Sequence, residues 1–356
     1  MTSINTESYS IHFNTKCYTE INNYLKSEDF SKIFVLVDSN SHALCLPLFL
    51  EQISTSLDIG IIEIETGEQH KNIETCMGVW NTLSDLGCDR KSLMINIGGG
   101  VVTDLGGFVA STFKRGIRYI NVPTTLLAMV DASVGGKTGI DLGSIKNQIG
   151  VINSSEMVLI DTNYLNTLPQ NQMKSGLAEM LKHGLIHSQS YWNEFLDLSK
   201  LNLTDLDRLI YESVLIKYEI VTKDPKEQHL RKTLNFGHTL GHAIESYFLE
   251  QPHKQELLHG EAVAIGMILA CHISHHIFNF PEDQLKEVSE TIISIFSKIE
   301  IATEDYQPII DLLIFDKKNE HGKILFVLLD NIASTKINIE VENELIKASF
   351  EYYNNL

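Results

Sequence analysis

A single carboxylate and a small set of imidazoles carry the first chemical signal. Glu179, Lys182 and His183 lie within the stretch Ser175–His187, while His238, His242 and His259 lie within two later segments. One carboxylate and two imidazoles drawn from separate helices make an open three-ligand site for Zn²⁺ or a similar divalent ion, with room left for substrate oxygens. Spacing alone leaves the choice open. His238 and His242 are four residues apart, roughly 40° around a helix, so both can reach one metal, and His183 stands in the same relation to Glu179. Taken singly, any one of the 14 histidines is more often a surface or hydrogen-bonded residue than a ligand. Here Asn235-Phe236-Gly237-His238-Thr239-Leu240-Gly241-His242 and His259-Gly260-Glu261-Ala262 set histidine beside glycine, which permits close packing.

A second signal is a glycine turn. Gly98, Gly99 and Gly100 follow an apolar run, Leu93–Ile97, and precede a helical stretch from Val101 to Phe113. Glycine lets the backbone approach a ligand, and the free N–H groups and dipole of the following helix favour a pyrophosphate. The motif is incomplete, because a GxGxxG reading puts its third glycine at Thr103. Thr66-Gly67-Glu68-Gln69-His70-Lys71 ends another apolar run, and Asp38 and Asn40 follow the first. Three strand ends of one sheet thus carry polar, turn-forming residues, which is where open α/β sheets bind nucleotides.

The third signal is cationic. The chain has a formal charge of −18, which disfavours partners that rest on neutralising phosphate, namely nucleic acid and anionic membrane. Cations for a small anionic ligand must then be gathered locally. Arg115, Lys137 in Gly135-Gly136-Lys137-Thr138, Lys146 beside Asn147, Lys182, Lys217, Arg231 and Lys317-Lys318 sit in polar or glycine-bearing stretches suited to that task. Arg captures carboxylate or phosphate in bidentate fashion, and Lys supplies a mobile point charge. With a metal site they suggest a substrate bearing both phosphate and carboxylate.

These residues need elements to hold them. At 356 residues, two domains are expected. The first half alternates short β-branched runs (Ile33–Val37, Ile61–Ile64, Leu93–Ile97, Tyr119–Val122, Met157–Ile160) with helical patterns, the signature of a parallel sheet covered by helices. From about Gln170 long 3.6-period segments take over, Thr204–Thr222, Arg231–Leu249 and His259–Ile277, with one late strand-like run, Ile324–Leu329. The expectation is an α/β, Rossmann-like, mostly parallel sheet domain over residues 1–170 and a mainly α-helical domain over 171–356. Five scattered cysteines without a CxxC pair indicate reduced thiols rather than disulfides or a thiolate zinc site. The start, MTSINTESYS, lacks a basic region followed by an apolar one, and the longest strongly apolar run, Ala262 to Cys271, is about half of the ~20 residues of a membrane span. A cytoplasmic protein without nucleic-acid or membrane partners is expected.

The motifs together resemble the 3-dehydroquinate synthases of the sugar-phosphate cyclase superfamily. Gly98 to Phe108, Lys114-Arg115-Gly116, Val122 to Asp131 and Gly135-Gly136-Lys137-Thr138-Gly139 carry the resemblance. It continues through Gly176 to Lys182, Leu234 to Glu245, His259 to Met267 and Asp316-Lys317-Lys318, covering roughly residues 30 to 330 in order. It implies Glu179, His238 and His259 as ligands of a zinc or cobalt ion. It implies Arg115, Lys137, Asn147, Lys182, Lys217, Arg231, Asn235, His242 and Lys318 as catalytic and substrate-holding residues, with Arg115 approaching the phosphate and Asp131 beside the pocket. NAD is expected against Asp38, Asn40, Gly67, Glu68, Lys71, Gly99, Gly100, Val101, Thr103, Asp104, Thr124, Thr125, Asp131, Lys137, Lys146 and Thr167. Departures from the family pattern are Gln170 near a place where Arg is frequent, Ile145 in place of a glycine, Pro225 where an acidic residue is common, and a longer segment between His242 and His259.

The resemblance further implies a homodimeric lyase of the shikimate pathway, on the route to chorismate and aromatic amino acids. Such an enzyme turns 3-deoxy-D-arabino-heptulosonate 7-phosphate into 3-dehydroquinate and phosphate. The steps are transient oxidation by NAD, phosphate elimination, re-reduction, ring opening and intramolecular aldol closure. Three alternatives share parts of the pattern: another sugar-phosphate cyclase, a metal-dependent polyol dehydrogenase, and a nucleotide-binding module without catalysis.

Overall fold

The computed structural model of the protein describes residues 1–143, 145–198, 203–251, 253–315 and 323–356. The chain divides into two compact units, Met1–Met173 and Lys174–Leu356.

The strands of the first unit are β1 (Ile4–Asn5), β2 (Ser10–Phe13), β3 (Ile33–Asp38), β4 (Ile59–Ile64), β5 (Leu93–Gly98), β6 (Arg118–Pro123), β7 (Lys137–Leu142), β8 (Ile145–Ile152) and β9 (Met157–Ile160). Its helices are α1 (Thr15–Ser27), α2 (Ser39–Leu44), α3 (Leu46–Leu50), α4 (Ile73–Asp85) and α5 (Gly100–Thr112). Seven strands form one sheet in the order β1-β2-β9-β6-β5-β3-β4, parallel throughout except for β1 against β2. Interior parallel strands are covered on both faces and so read as continuous apolar runs; all six residues of β5 are buried, as are the first five of β3. This is why the expected strands β3, β5, β6 and β9 were visible as unbroken stretches, whereas β4, at the sheet edge, is only partly buried.

The chain lays β4 on one side of β3 and then β5 on the other. At that reversal the connections diverge, leaving a crevice between the carboxyl ends of β3 and β5. Asp38 ends β3 and Gly98 ends β5, so the strand order delivers both expected stretches to one place. Helix α5 packs on this sheet through Val102, Leu105 and Val109, in a core with Leu36, Val79, Leu83, Met94 and Ile140. Each such side chain contributes roughly 1.5–3 kcal/mol on burial. A Cβ on Gly106 would collide with the side chain of Asn96, which donates to Asn121 at 2.9 Å across β5 and β6. The close helix-to-strand approach that a third motif glycine normally allows is therefore made by Gly106, one turn beyond Thr103.

The hairpin β7–β8 stands apart from the large sheet. Its polar residues and its directly paired Gly139 and Gly150 dilute the period-2 signal, so sequence patterning missed it.

Helix α6 (Gln170–His187) opens in the last residues of the first unit and lies mostly in the second. The second unit continues with α7 (Gln189–Asn193), α8 (Leu203–Lys223), α9 (His238–Glu250), α10 (His259–Phe278), α11 (Glu282–Phe296), α12 (Tyr306–Leu312), the hairpin β10 (Leu325–Asn331) and β11 (Ser334–Glu340), and α13 (Asn343–Asn354). Helix α10 is long and apolar enough to cross a bilayer, but it packs against α9, α11, α13 and β10 and is the core helix of this unit.

One expectation is corrected. Arg231–Leu249 is not a single helix: a 3-10 turn over Leu230–Asn235 is followed by extended Phe236 and left-handed Gly237 (φ 76°) before α9 begins at His238. Residue 237 lies against α10, where a Cβ would sit 2.6 Å from Met267 Cγ, so the break needs glycine both for its backbone angle and for its contact. The facing residue, Gly266 of α10, is as tight, since a Cβ there would collide with the Gly237 carbonyl oxygen. Gly266→Ala is predicted to lower unfolding free energy by about 1–3 kcal/mol, the usual cost of overpacking, read from denaturant midpoints. A midpoint matching the parent would show that α9 and α10 do not meet through their backbones.

Candidate functional site

Helices α6, α9 and α10 bring Glu179, His238 and His259 together. Glu179 is fully buried; its Oε2 pairs with Lys182 one turn along α6, while its Oε1 has no hydrogen-bond partner among the described residues. His238 Nε2 lies 3.2 Å and His259 Nε2 3.9 Å from that Oε1. The far side of each ring is committed: His238 Nδ1 is 3.0 Å from the Phe236 carbonyl oxygen and His259 Nδ1 is 3.1 Å from Glu245 Oε2. Carbonyl and carboxylate oxygens only accept, so each Nδ1 carries the proton and each Nε2 presents a lone pair. One carboxylate oxygen and two lone pairs thus face one another with no proton between them. A divalent cation satisfies all three. Ligand atoms about 2.0–2.2 Å from a tetrahedral ion lie roughly 3.3–3.6 Å apart, between the 3.2 Å of His238 and the 3.9 Å of His259 from Glu179 Oε1, and the mixed N and O donor set suits zinc or cobalt.

Electrostatics agree with that assignment. Burial raises the Glu179 carboxyl, but Lys182, His238 and His259 outweigh it and hold the group well below the usual carboxylate range. Burial and the Lys182 charge push His238 down to about 4, keeping the ring neutral at physiological pH. His242 stands beside the centre, its ring centroid 5.2 Å from that of His238 and 5.5 Å from that of His259. The three imidazoles also place one ligand atom each within 4.8 Å of one another. His183, the other partner considered for Glu179, is buried with Nδ1 2.7 Å from Ser213 Oγ.

The expected cations of this unit are unusually deep. Lys182, Lys217 and Arg231 are each less than a tenth exposed, although buried charge costs several kcal/mol unless compensated. The turn bearing Arg231 is folded around Asp224, which accepts N–H groups from Gln228 at 3.0 Å, His229 at 2.7 Å and Arg231 at 3.0 Å. Burial raises the Asp224 carboxyl, but these three donors hold it below its ordinary range. Arg231 Nη1 donates to the Pro225 carbonyl oxygen at 3.0 Å, so this position serves the turn through its backbone and tolerates proline. Asn235, on the same 3-10 turn, donates to Glu227 at 2.9 Å. Lys318 lies outside the described residues.

In the first unit, α5 begins at Gly100 without a side-chain cap, which leaves its first N–H groups for an anion, with Val101 in the same turn. Thr103 is buried and turns its hydroxyl back onto the carbonyls of Gly99 and Gly100, at 3.2 and 3.3 Å. Thr124 N–H donates to Gly98 O at 2.9 Å, Thr125 Oγ1 accepts from Ala128 N–H at 3.2 Å, and Thr167 donates to Tyr164 O at 2.7 Å. Asp38 caps α2 through Ser41 at 2.7 Å, with Asn40 exposed on the next turn. Lys71 is buried and donates to Asp104 at 2.7 Å and Asn147 at 2.6 Å. Burial lowers its affinity for the proton, but Asp104, Glu68 and Asp141 more than restore it, so the ammonium persists. Asp141, desolvated by the same burial, is pushed up to about 6 and accepts the Asn147 N–H at 2.6 Å. Lys146 pairs with Glu68 at 3.4 Å, next to Gly67.

Asn147, expected on the substrate, therefore has its side chain on Lys71, and its backbone is left-handed (φ 52°). Ile145 takes an ordinary strand position opposite Leu142, so losing a glycine there needs no special backbone. Asp131 lies in a π-helical turn, Ala128–Ala132, and Lys137 is the exposed first residue of β7. Lys114, Arg115 and Gly116 have successive φ values of 49°, 69° and 111°, with Arg115 exposed, an arrangement costly for the two non-glycine residues.

The groups that sequence reasoning missed are the acceptors behind the histidines. Glu245 falls seven residues after His238 on α9, a helical repeat that could have singled it out, whereas a main-chain acceptor such as Phe236 leaves no sequence signal.

Glu179→Gln keeps the side-chain volume and removes the anion. Zinc affinity, measured by competition with a chromophoric chelator, is expected to fall by more than about 100-fold, beyond the range of outer-sphere changes, while circular dichroism stays as in the parent. Undiminished affinity would place the metal elsewhere.

Similarity to known proteins accords with this geometry. The family profile of the 3-dehydroquinate synthase N-terminal domain matches residues 61–175, and that of the 3-dehydroquinate synthase C-terminal domain matches 176–319. A 3-dehydroquinate synthase from Parabacteroides distasonis is 42% identical over 338 residues, 94% of this chain and 95% of that one. Among solved structures, a 2-deoxy-scyllo-inosose synthase complexed with carbaglucose-6-phosphate, NAD⁺ and Co²⁺ superposes with a TM-score of 0.86 over 99% of both chains at 24% identity. A 2-epi-5-epi-valiolone synthase from Streptomyces hygroscopicus, with NAD⁺ and Zn²⁺ bound, does so with a TM-score of 0.83 over 100% of this chain and 99% of that one at 25% identity. With both halves matched in order and close relatives along nearly its whole length, the chain belongs to the 3-dehydroquinate synthase family.

Proposed function

We propose that this chain converts 3-deoxy-D-arabino-heptulosonate 7-phosphate to 3-dehydroquinate and phosphate, with NAD and one divalent metal as cofactors. The observation that carries this is the proton-free meeting of Glu179, His238 and His259 among deeply buried cations in an acidic protein. Relatives that hold NAD⁺ with Co²⁺ or Zn²⁺ support the cofactor pair. When bound, NAD takes up and returns a hydride and the metal polarises substrate oxygens, acidifying the C–H beside the phosphate-bearing carbon.

Glu179, His238 and His259 would hold the metal, and the crevice residues of the first unit would hold NAD. Lys182, Lys217 and Arg231 neutralise the substrate's carboxylate and developing oxyanions from buried positions, where charge acts strongly. Asn235 and His242 supply hydrogen bonds and move protons, Lys137 anchors an anionic group of the substrate, and Asn147 steadies Lys71 beside the pocket. The proposed division of labour is nucleotide binding by residues 1–170 and metal and substrate binding by residues 171–356. We further propose a soluble cytoplasmic homodimer in which Arg115, exposed on a strained turn, reaches the phosphate bound to the partner subunit.

A second reading, another sugar-phosphate cyclase, differs in lacking a substrate carboxylate; a polyol dehydrogenase would accumulate NADH. Purified chain with trace NAD⁺, a divalent metal and the heptulosonate phosphate is expected to release phosphate and a carbocyclic product with no net NADH. Turnover only of non-carboxylated heptulose phosphates, or one NADH per turnover, would select a rival. In the same assay Lys182→Ala is expected to keep NAD binding and lose at least about tenfold in turnover, about 1.4 kcal/mol in the barrier; wild-type turnover would remove Lys182 from the machinery.

A further inference from the structure

Glu245 is a buried carboxylate on the same face of α9 as His238 and His242, three residues beyond His242. It does not belong to the trio of groups around the metal position; it lies behind one of them. The His259 ring is held between two carboxylates, with Nδ1 3.1 Å from Glu245 Oε2 and Nε2 3.9 Å from Glu179 Oε1. Only the first contact is short enough for a hydrogen bond, so the single proton of a neutral ring belongs on the Glu245 side. His238 has a different support, the uncharged carbonyl of Phe236 at 3.0 Å. The two imidazoles are therefore unequal: a carboxylate partner makes a ligating imidazole more basic than an amide carbonyl does, and it also fixes the ring's orientation.

We propose that Glu245 is a positioning residue of the metal centre, setting the tautomer and angle of His259 and strengthening its Nε2 as a donor. The idea rests on the reading that Glu179, His238 and His259 bind one divalent ion. His259 is the first residue of α10 and follows the long segment after α9, so its own helix holds it on one side only. Glu245 supplies the second constraint, tying the start of α10 to the second turn of α9. Losing it removes one restraint on the ring's torsions and on the place of its proton, and a turned ring or a proton moved to Nε2 no longer presents that lone pair to the metal position.

The test uses the full chain loaded with Co²⁺, read by chelator competition and by the visible absorption of the bound ion, alongside a thermal melt. Glu245→Gln preserves volume and an acceptor oxygen but removes the charge, and Glu245→Ala removes both. Cobalt affinity is expected to fall roughly tenfold for the glutamine variant and toward about 100-fold for alanine, the range of outer-sphere partners. The absorption band should shift in both, while the melt of the glutamine variant stays near the parent. If alanine fails to fold, the glutamine variant decides. An unchanged affinity and an unchanged cobalt spectrum in Glu245→Gln would overturn the proposal while leaving the metal reading intact. Wild-type protein with no tight cobalt site would overturn both.

Discussion

Three lone-pair-bearing atoms pointed at one another are unstable unless something positive sits among them, and the second unit is organised around that condition. Glu179 Oε1 and the Nε2 atoms of His238 and His259 come from three helices far apart in sequence. Helices normally pack 8–10 Å apart, and the contacts made here leave no space for a side chain at residues beside these three groups. A Cβ on Gly260 would collide with the Ser175 carbonyl of α6, and one on Gly266 with the Gly237 carbonyl before α9. Ser175 Oγ also accepts the Gly260 N–H at 3.0 Å, adding a polar tie next to His259. The glycines flanking the histidines are thus geometric requirements of the ligand set.

Charge follows the same logic. A chain with a formal charge of −18 can still hold small anions if its few cations are removed from solvent and fixed. In the second unit the carboxylate of Glu179 and the turn around Asp224 accompany buried Lys182 and Arg231. In the first, Lys71 gathers Asp104 and Asn147 at the crevice, with Glu68 and Asp141 sustaining its charge. Each unit therefore carries a preorganised polar site of its own, an anion-receiving helix start in one and a cation-receiving pocket in the other.

Much of this was legible in the sequence, for physical reasons that differ by element. Strands β3, β5 and β9 read clearly because burial on both faces makes them uninterrupted apolar runs. The histidines of the proposed metal site stood out through their glycine neighbours, although spacing alone kept His242 and His183 in play. The merged helix over Arg231–Leu249 went wrong because periodicity cannot see a single left-handed residue, and only the contact of Gly237 with α10 makes the break obligatory. The β7–β8 hairpin hid because paired glycines carry no pattern. Asn147 and Glu245 are long-range cases, each defined by a partner more than a dozen residues away, Lys71 in one and His259 in the other. Lys318 falls outside the described residues, so its part rests on the family resemblance.

The most direct measurement is anomalous diffraction at the zinc or cobalt edge from crystals grown with that metal. The account predicts one strong peak about 2.0–2.2 Å from Glu179 Oε1, His238 Nε2 and His259 Nε2 together. A peak coordinated by other side chains, or none at full metal loading, would contradict it.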